Sequence, residues 1–311
     1  MQSKIILIIF LIKICNCSIF EVKLDCDCEY KSSICYSSKI ISRIIDESTI
    51  FINKYCSLSN IDEVQLSWLT KGIQRELHEF PNLKFLKITN SHLNSISFLE
   101  NSPELKTLDI PGNAIKDVPI LRGQIDRLFI NKNKIEILRK INFKNLRKLE
   151  FLNVEENEIF YIAEDTFSEN LKLRIINLNR NNLTFLELKT FHKNLNLKEI
   201  HLNWNQIKNL KSEHFLKNLN LEKVRLRGNK LRVVSKNWFY KNLKLKWFDL
   251  AENKIFLIEP RSFENLDFVN LTFNLCINEE FFVKSKKILH MNKLINRNCN
   301  IFYTMQQSQE K

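Results

Sequence analysis

The sequence predicts an α/β solenoid, a stack of strand-and-turn coils whose open ends are covered by cysteine-containing segments. Three observations carry that expectation. Apolar residues return at a fixed interval through most of the 311 residues, an asparagine and a phenylalanine return in register with them, and the cysteines lie only outside that repeat. Length alone would suggest two globular units. A solenoid needs no such division, because each coil packs only on its neighbours.

In chain order, residues 1–17 read as a signal peptide: a charged start at Lys4, an apolar run from Ile5 to Ile12, then the small residues Cys15, Asn16 and Cys17, with cleavage near Cys17. The run is far short of the roughly 20 residues that span a bilayer. No other run approaches a membrane span, and the polar tail from Met305 to Lys311 carries no anchor signal, so a secreted, extracellular protein without a membrane anchor is expected.

Residues 18–82 form an expected N-terminal cap, a small hairpin tied by cysteines. With Cys15 and Cys17 removed, Cys26, Cys28, Cys35, Cys56, Cys276 and Cys299 remain, an even set that favours disulfides in an oxidising compartment. Cys26 and Cys28 are too close in sequence to pair together. Cys26 then pairs with Cys35 and Cys28 with Cys56, or the two pairs cross. The single-residue gap at Cys26-x-Cys28 also lacks zinc-site spacing, and no metal or other cofactor is expected.

Residues 83–275 carry the repeat, L-x-x-L-x-L-x-x-N-x-L, seen at Leu149, Leu152, Val154, Asn157 and Ile159. Copies begin at Leu83, Leu105, Ile125, Leu149, Leu173, Leu197, Leu221, Leu245 and Leu266, which makes nine. From Ile125 to Leu245 the step is 24 residues, and Phe143, Phe167, Phe191, Phe215, Phe239 and Phe263 form a second column at the same step. Each coil offers one short strand that pairs in parallel with the one before. The phenylalanines are expected to form a buried spine. An asparagine inside an apolar stack is costly unless hydrogen-bonded, so Asn113, Asn133, Asn157, Asn181, Asn205, Asn229, Asn253 and Asn274 are expected to form a ladder of backbone contacts. Ser91 holds that place in the first copy. The copies between Leu83 and Gln124 step by 22 and 20 residues, contain Pro103, Pro111 and Pro119, and lack the phenylalanine.

On these columns the chain resembles extracellular leucine-rich-repeat proteins. The resemblance implies a horseshoe with its parallel sheet on the concave side and a binding rather than catalytic role. The segment from Leu271 to Phe281, with Cys276-Ile277-Asn278 and Phe281, is similar to the closing segment of secreted insect members of that family.

Residues 276–311 are expected to form a C-terminal cap and tail. Asn278 would cap a helix holding Glu279 and Glu280 in its first turn, with Phe281, Phe282, Ile288 and Leu289 on its inner side and Lys284, Lys286 and Lys287 on its solvent side. Cys276 and Cys299 would staple that helix over the last coil.

Catalysis finds no support. Four glycines leave no phosphate loop, the six histidines show no H-E-x-x-H, and no G-x-S-x-G is present, so an enzyme is not expected. Nucleic acid is not an expected partner either.

The third, fifth and seventh residues of each copy point away from the core. Two groups stand out there: Phe129, Phe151 and Ile175, and a basic row of Lys223, Arg225 and Arg227 beside Trp247 and Phe268, which Trp204 could extend. Arginine and aromatic residues are the usual anchors of protein interfaces. An extracellular protein ligand or receptor is therefore the expected partner, and the resemblance implies a role in innate immunity or cell-surface signalling. The alternative is a matrix component holding anionic glycans through a formal charge of +13, or +11 without Lys4 and Lys13. Asn182-Leu183-Thr184 and Asn270-Leu271-Thr272 match the glycosylation acceptor pattern.

Overall fold

The fold was obtained as a computed structural model that describes residues 103–299 except 265 and 283–287, together with 62–67, 82–94, 96, 99 and short strands before residue 43. The signal segment, Cys26, Cys56, Lys284, Lys286, Lys287 and the tail lie outside the described residues.

Strands β1 (Val22–Leu24), β2 (Asp27–Cys28), β3 (Cys35–Tyr36), β4 (Lys39–Ser42) and β5 (Glu63–Ser67) precede the repeat. The repeat contributes β6 (Phe85–Thr89), β7 (Thr107–Asp109), β8 (Arg127–Phe129), β9 (Ile137–Leu138), the helical turn α1 (Lys140–Phe143), β10 (Phe151–Asn153), β11 (Tyr161–Ile162), β12 (Ile175–Asn177) and β13 (Glu199–His201). It continues with β14 (Lys223–Arg225), β15 (Val233–Val234), β16 (Trp247–Asp249), β17 (Leu257–Ile258) and β18 (Phe268–Asn270), and the chain closes through β19 (Glu280–Phe282) and α2 (Ile288–Leu294).

One 13-stranded sheet runs β1-β4-β5-β6-β7-β8-β10-β12-β13-β14-β16-β18-β19. Its nine strands from β6 to β18 fall one per sequence repeat. Pairing is parallel from β4 through β18, and only the outermost strands β1 and β19 run antiparallel. The sheet thus begins two parallel strands before Leu83, within the stretch expected to be cap alone. In that stretch β2 and β3 form the anticipated hairpin, with Cys28 opposite Cys35 in the backbone register.

The middle residue of each three-residue strand from β8 to β16 enters the core: Leu128, Leu152, Ile176, Ile200, Val224 and Phe248 are at most 1% exposed. The chain then turns. In every coil the residue just before the asparagine column takes a positive φ, from Asn90 and Gly112 through Lys132, Glu156, Arg180, Trp204, Gly228 and Glu252 to Phe273. That left-handed kink costs a side-chain-bearing residue about 1 to 3 kcal/mol, so something must hold it. The asparagines do so. Asn181 accepts the Ile159 N–H of the preceding coil at 3.0 Å, while its Nδ2 donates to Val154 of that coil at 3.0 Å and to Leu178 of its own at 3.1 Å. Asn157, Asn205, Asn229 and Asn253 repeat the pattern, and Ser91 donates its N–H to Asn113.

The return is made of turns, the short parallel pairs β9–β11 and β15–β17, α1 and a short 3-10 turn at Ser212–His214. Phe143, Phe167, Phe191, Phe215 and Phe239 stack coil on coil with ring centroids 5.1, 5.8, 6.4 and 5.4 Å apart. Phe239 is only partly buried, since Trp238 beside it takes the interior place. Phe263 leaves the stack and packs edge-on against Phe248 instead. A second asparagine ladder, not anticipated from the sequence, lies under this wall: Asn194 donates to Phe167 at 3.0 Å and Asn170 at 2.9 Å, and Asn170, Asn218 and Asn242 do likewise.

The C-terminal cap differs from its expectation. Residues 280–282 form β19 along the free edge of β18, with Val269 opposite Phe281, and the helix begins only at Ile288. An open sheet edge presents unpaired N–H and C=O groups, and satisfying those outweighs the local helix signal. Asn278 caps no helix; its Oδ1 accepts the Phe273 N–H at 2.6 Å. Cys276 and Cys299 form a disulfide across α2 and the π-helical turn Ile295–Cys299, as the sequence led one to expect.

Candidate recognition surface on the concave sheet

Because the sheet is in register, its outward residues line up in rows. The first row runs Arg127, Phe151, Ile175, Glu199, Lys223, Trp247, Phe268, and the second runs Phe129, Asn153, Asn177, His201, Arg225, Asp249, Asn270.

At the N-terminal side the Phe129 and Phe151 rings lie 4.9 Å apart. The Arg127 guanidinium sits over both, 5.2 Å from Phe151 and 5.6 Å from Phe129. Ile175 follows Phe151 in the same row. These three apolar residues do come together, and Arg127 completes the group. Sequence reasoning placed Arg127 on the outward face without singling it out. The signal was there, because residues 127 and 129 share a face and 127 pairs with 151.

The basic row is less free than its sequence implies. Lys223 bonds both Glu199 oxygens at 3.2 Å, and Arg227 Nε donates to Glu252 at 3.0 Å. Arg225 forms no ion pair among the described residues, and Trp247 is 38% exposed. Phe268 is not an exposed anchor: it is 6% exposed, with the Trp247 ring stacked on it at 3.9 Å. Placed in the last parallel strand, between β16 and β19, it supports Trp247 from beneath. Trp204 does extend this side. It is 43% exposed, holds a φ of 57°, and lies 5.9 Å from the Arg227 guanidinium. Gly228 in the next coil is what admits it, since a Cβ there would meet the indole at 2.4 Å.

Between the two groups sits a small charge network. Burial is the largest influence on His201 and pushes its pKa down, against a 2.9 Å bond to Glu199. Burial raises Glu199 as well, yet hydrogen bonds from His201 and Lys223 outweigh it and hold that carboxyl below its usual range. Asp249 is pushed up, again by burial, against the Ala251 N–H and the charges of Arg227 and Arg225. The network looks structural, since it fixes Glu199 and Lys223 in place. Among the described residues no cluster of histidine, cysteine or acidic side chains could hold a metal, and no helix is long and apolar enough to cross a membrane.

Asn182 is exposed just past the ladder, whereas the half-buried Asn270 uses its Oδ1 to accept both the N–H and the hydroxyl of Thr272.

Two family models match the chain, one described as leucine-rich repeat over residues 219–275 and one as BspA-type leucine-rich repeat region over residues 124–246. No curated protein sequence matches it. Among solved structures, an internalin (inlF) of Listeria monocytogenes is similar with a TM-score of 0.54 at 18% identity, covering 78% of this chain and 74% of its own. Internalin C2 of the same organism gives 0.52 at 19%, covering 64% and 84%. A TLR13 chain in complex with ssRNA13 gives 0.52 at 21%, covering 73% of this chain, which spans only 31% of that receptor chain. At these identities the likeness concerns the fold. With the asparagine ladder, the parallel register and both models agreeing, residues 124–275 of this chain are leucine-rich repeats.

Proposed function

We propose that this is a secreted, non-enzymatic binding protein whose concave sheet recognises another extracellular protein, in innate immune or cell-surface signalling. The observation that carries the reading is a pair of aromatic groups with cations on one sheet: Arg127 over Phe129 and Phe151, and Trp247 stacked on Phe268 with Lys223 opposite it in register and Arg225, free of ion pairs among the described residues, two positions on in the same strand as Lys223. Each combines apolar area with a guanidinium able to grip a carboxylate in two places. Support for a protein rather than an anionic glycan comes from the ion pairs that already engage Lys223 and Arg227, which leave little uncompensated charge on the row. The test is a binding titration of Arg225→Ala/Trp247→Ala against proteins captured by the wild-type chain from extracellular fluid. An affinity loss of about 30-fold, the equivalent of ~2 kcal/mol, with weak dependence on salt supports the reading. A steep salt dependence and no effect of Trp247 would favour the glycan.

Secretion carries its own test. Asn182 is expected to bear a glycan, so Asn182→Gln should remove one glycosidase-sensitive mobility shift, and Asn270→Gln reads whether the second acceptor is used as well. An unmodified Asn182 in material collected outside the cell would count against the secretory route.

A further inference from the structure

In the turn that leads into each strand, Leu171, Leu195, Leu219 and Leu243 recur every 24 residues and are 54, 54, 51 and 63% exposed. Singly exposed leucines are ordinary. Four in one register on consecutive coils make a continuous apolar ladder. Each directly follows an asparagine of the buried convex ladder, so its backbone is held rigidly. Asn196 and Asn220 further tie the carbonyls of Leu171 and Leu195 to the next coil at 2.9 and 3.0 Å.

Lysines accompany the ladder. Lys193, Lys217 and Lys241 sit two residues before Leu195, Leu219 and Leu243, all exposed and without an ion pair among the described residues. Lys244 lies on the other flank, bonded to the neutral Asn220 and without an ion pair among the described residues. In the first coil Glu169 takes the lysine position and is engaged by Lys140 and Arg147 at 3.7 Å, so the positive field grows toward Leu243.

We propose that this leucine–lysine ladder docks on an anionic lipid bilayer. Leu171, Leu195 and Leu219 stand out from the wall, and Leu243 borders a shallow open hollow shared with Lys244, Lys246 and Trp247, a shape that suits a broad surface better than an inserted helix. Leucines can enter the interfacial layer while the lysines keep their ammonium groups among the headgroups. Neither the apolar nor the basic contribution holds a soluble chain firmly by itself, whereas together they do. A second copy of this chain fits poorly, because like lysine columns would face one another.

The experiment is cosedimentation of the full chain with phosphatidylcholine vesicles, with and without phosphatidylglycerol. Wild type is expected to bind the phosphatidylglycerol vesicles alone and to be released by salt. Leu195→Ser/Leu219→Ser/Leu243→Ser and Lys193→Gln/Lys217→Gln/Lys241→Gln should each weaken binding by about tenfold or more, with circular dichroism confirming the fold. Phe129→Ala/Phe151→Ala, at the end of the concave sheet away from the hollow that Leu243 and Trp247 share, should bind the vesicles like wild type, which separates this ladder from that recognition group. No binding by wild type, or full binding by the folded lysine variant, overturns the proposal. So does lipid-free self-association that the leucine variant abolishes, since the ladder would then be an interface between copies.

Discussion

At the scale of single residues, the account rests on which side chain faces in. Phe191 is stacked between Phe167 and Phe215 and 1% exposed, while Lys193 two residues on is exposed. Phe191→Ala should cost about 3 to 5 kcal/mol in denaturant unfolding and Lys193→Ala almost nothing. Equal losses would mean the register is wrong. His201 adds a pH dependence. Its folded-state pKa is depressed, so the unfolded chain binds the extra proton first and stability falls as pH drops below the ordinary histidine value of about 6.5. The depressed carboxyl of Glu199 continues that loss at lower pH. Unfolding of His201→Gln should therefore show less acid sensitivity than wild type between neutrality and pH about 5.5; an unchanged profile would show that His201 is not the group responsible. The columns of Phe and Asn were legible because their chemistry is monotonous and evenly spaced. Phe268 was not, because strand alternation gives the direction of a side chain and says nothing of what stacks over it. The convex asparagines from Asn170 to Asn242 recur as regularly as the concave ones, yet a polar column next to exposed leucines reads as surface.

At the scale of elements, the ends decide how long the stack survives. An exposed terminal coil frays, and here β19, α2 and the Cys276–Cys299 bond close the C-terminal side. The bond closes a loop with a sequence separation of 23. Chain-entropy arguments put such a loop at about 3 kcal/mol. Cys276→Ser/Cys299→Ser should lower the melting temperature and abolish the sensitivity of melting to reductant at this end. If it melts like wild type, β19 and α2 hold the cap without the bond. The sequence located the cap and its cysteines but placed a helix where β19 lies. Asn278-Glu279-Glu280 is a sound local helix start, and only the neighbouring edge of β18, remote in no obvious sequence signal, explains why the strand wins.

At the scale of the whole molecule, one sheet carries the Arg127–Phe129–Phe151 group and the Trp247–Phe268 stack on its inner side, and a leucine–lysine ladder runs along the turns that enter the strands. The solenoid was readable from spacing alone because each coil repeats the same packing problem. The rows of the concave sheet were readable as rows, but not their ion pairs, since Glu199 meets Lys223 and Glu252 meets Arg227 only after the coils stack. The most direct test of the concave recognition surface is quantitative affinity capture from extracellular fluid on three folded baits: wild type, Arg225→Ala/Trp247→Ala, and the leucine-ladder variant. The account predicts at least one protein retained by wild type and by the ladder variant but lost from the concave variant. Retention of every captured protein on the folded concave variant would contradict it.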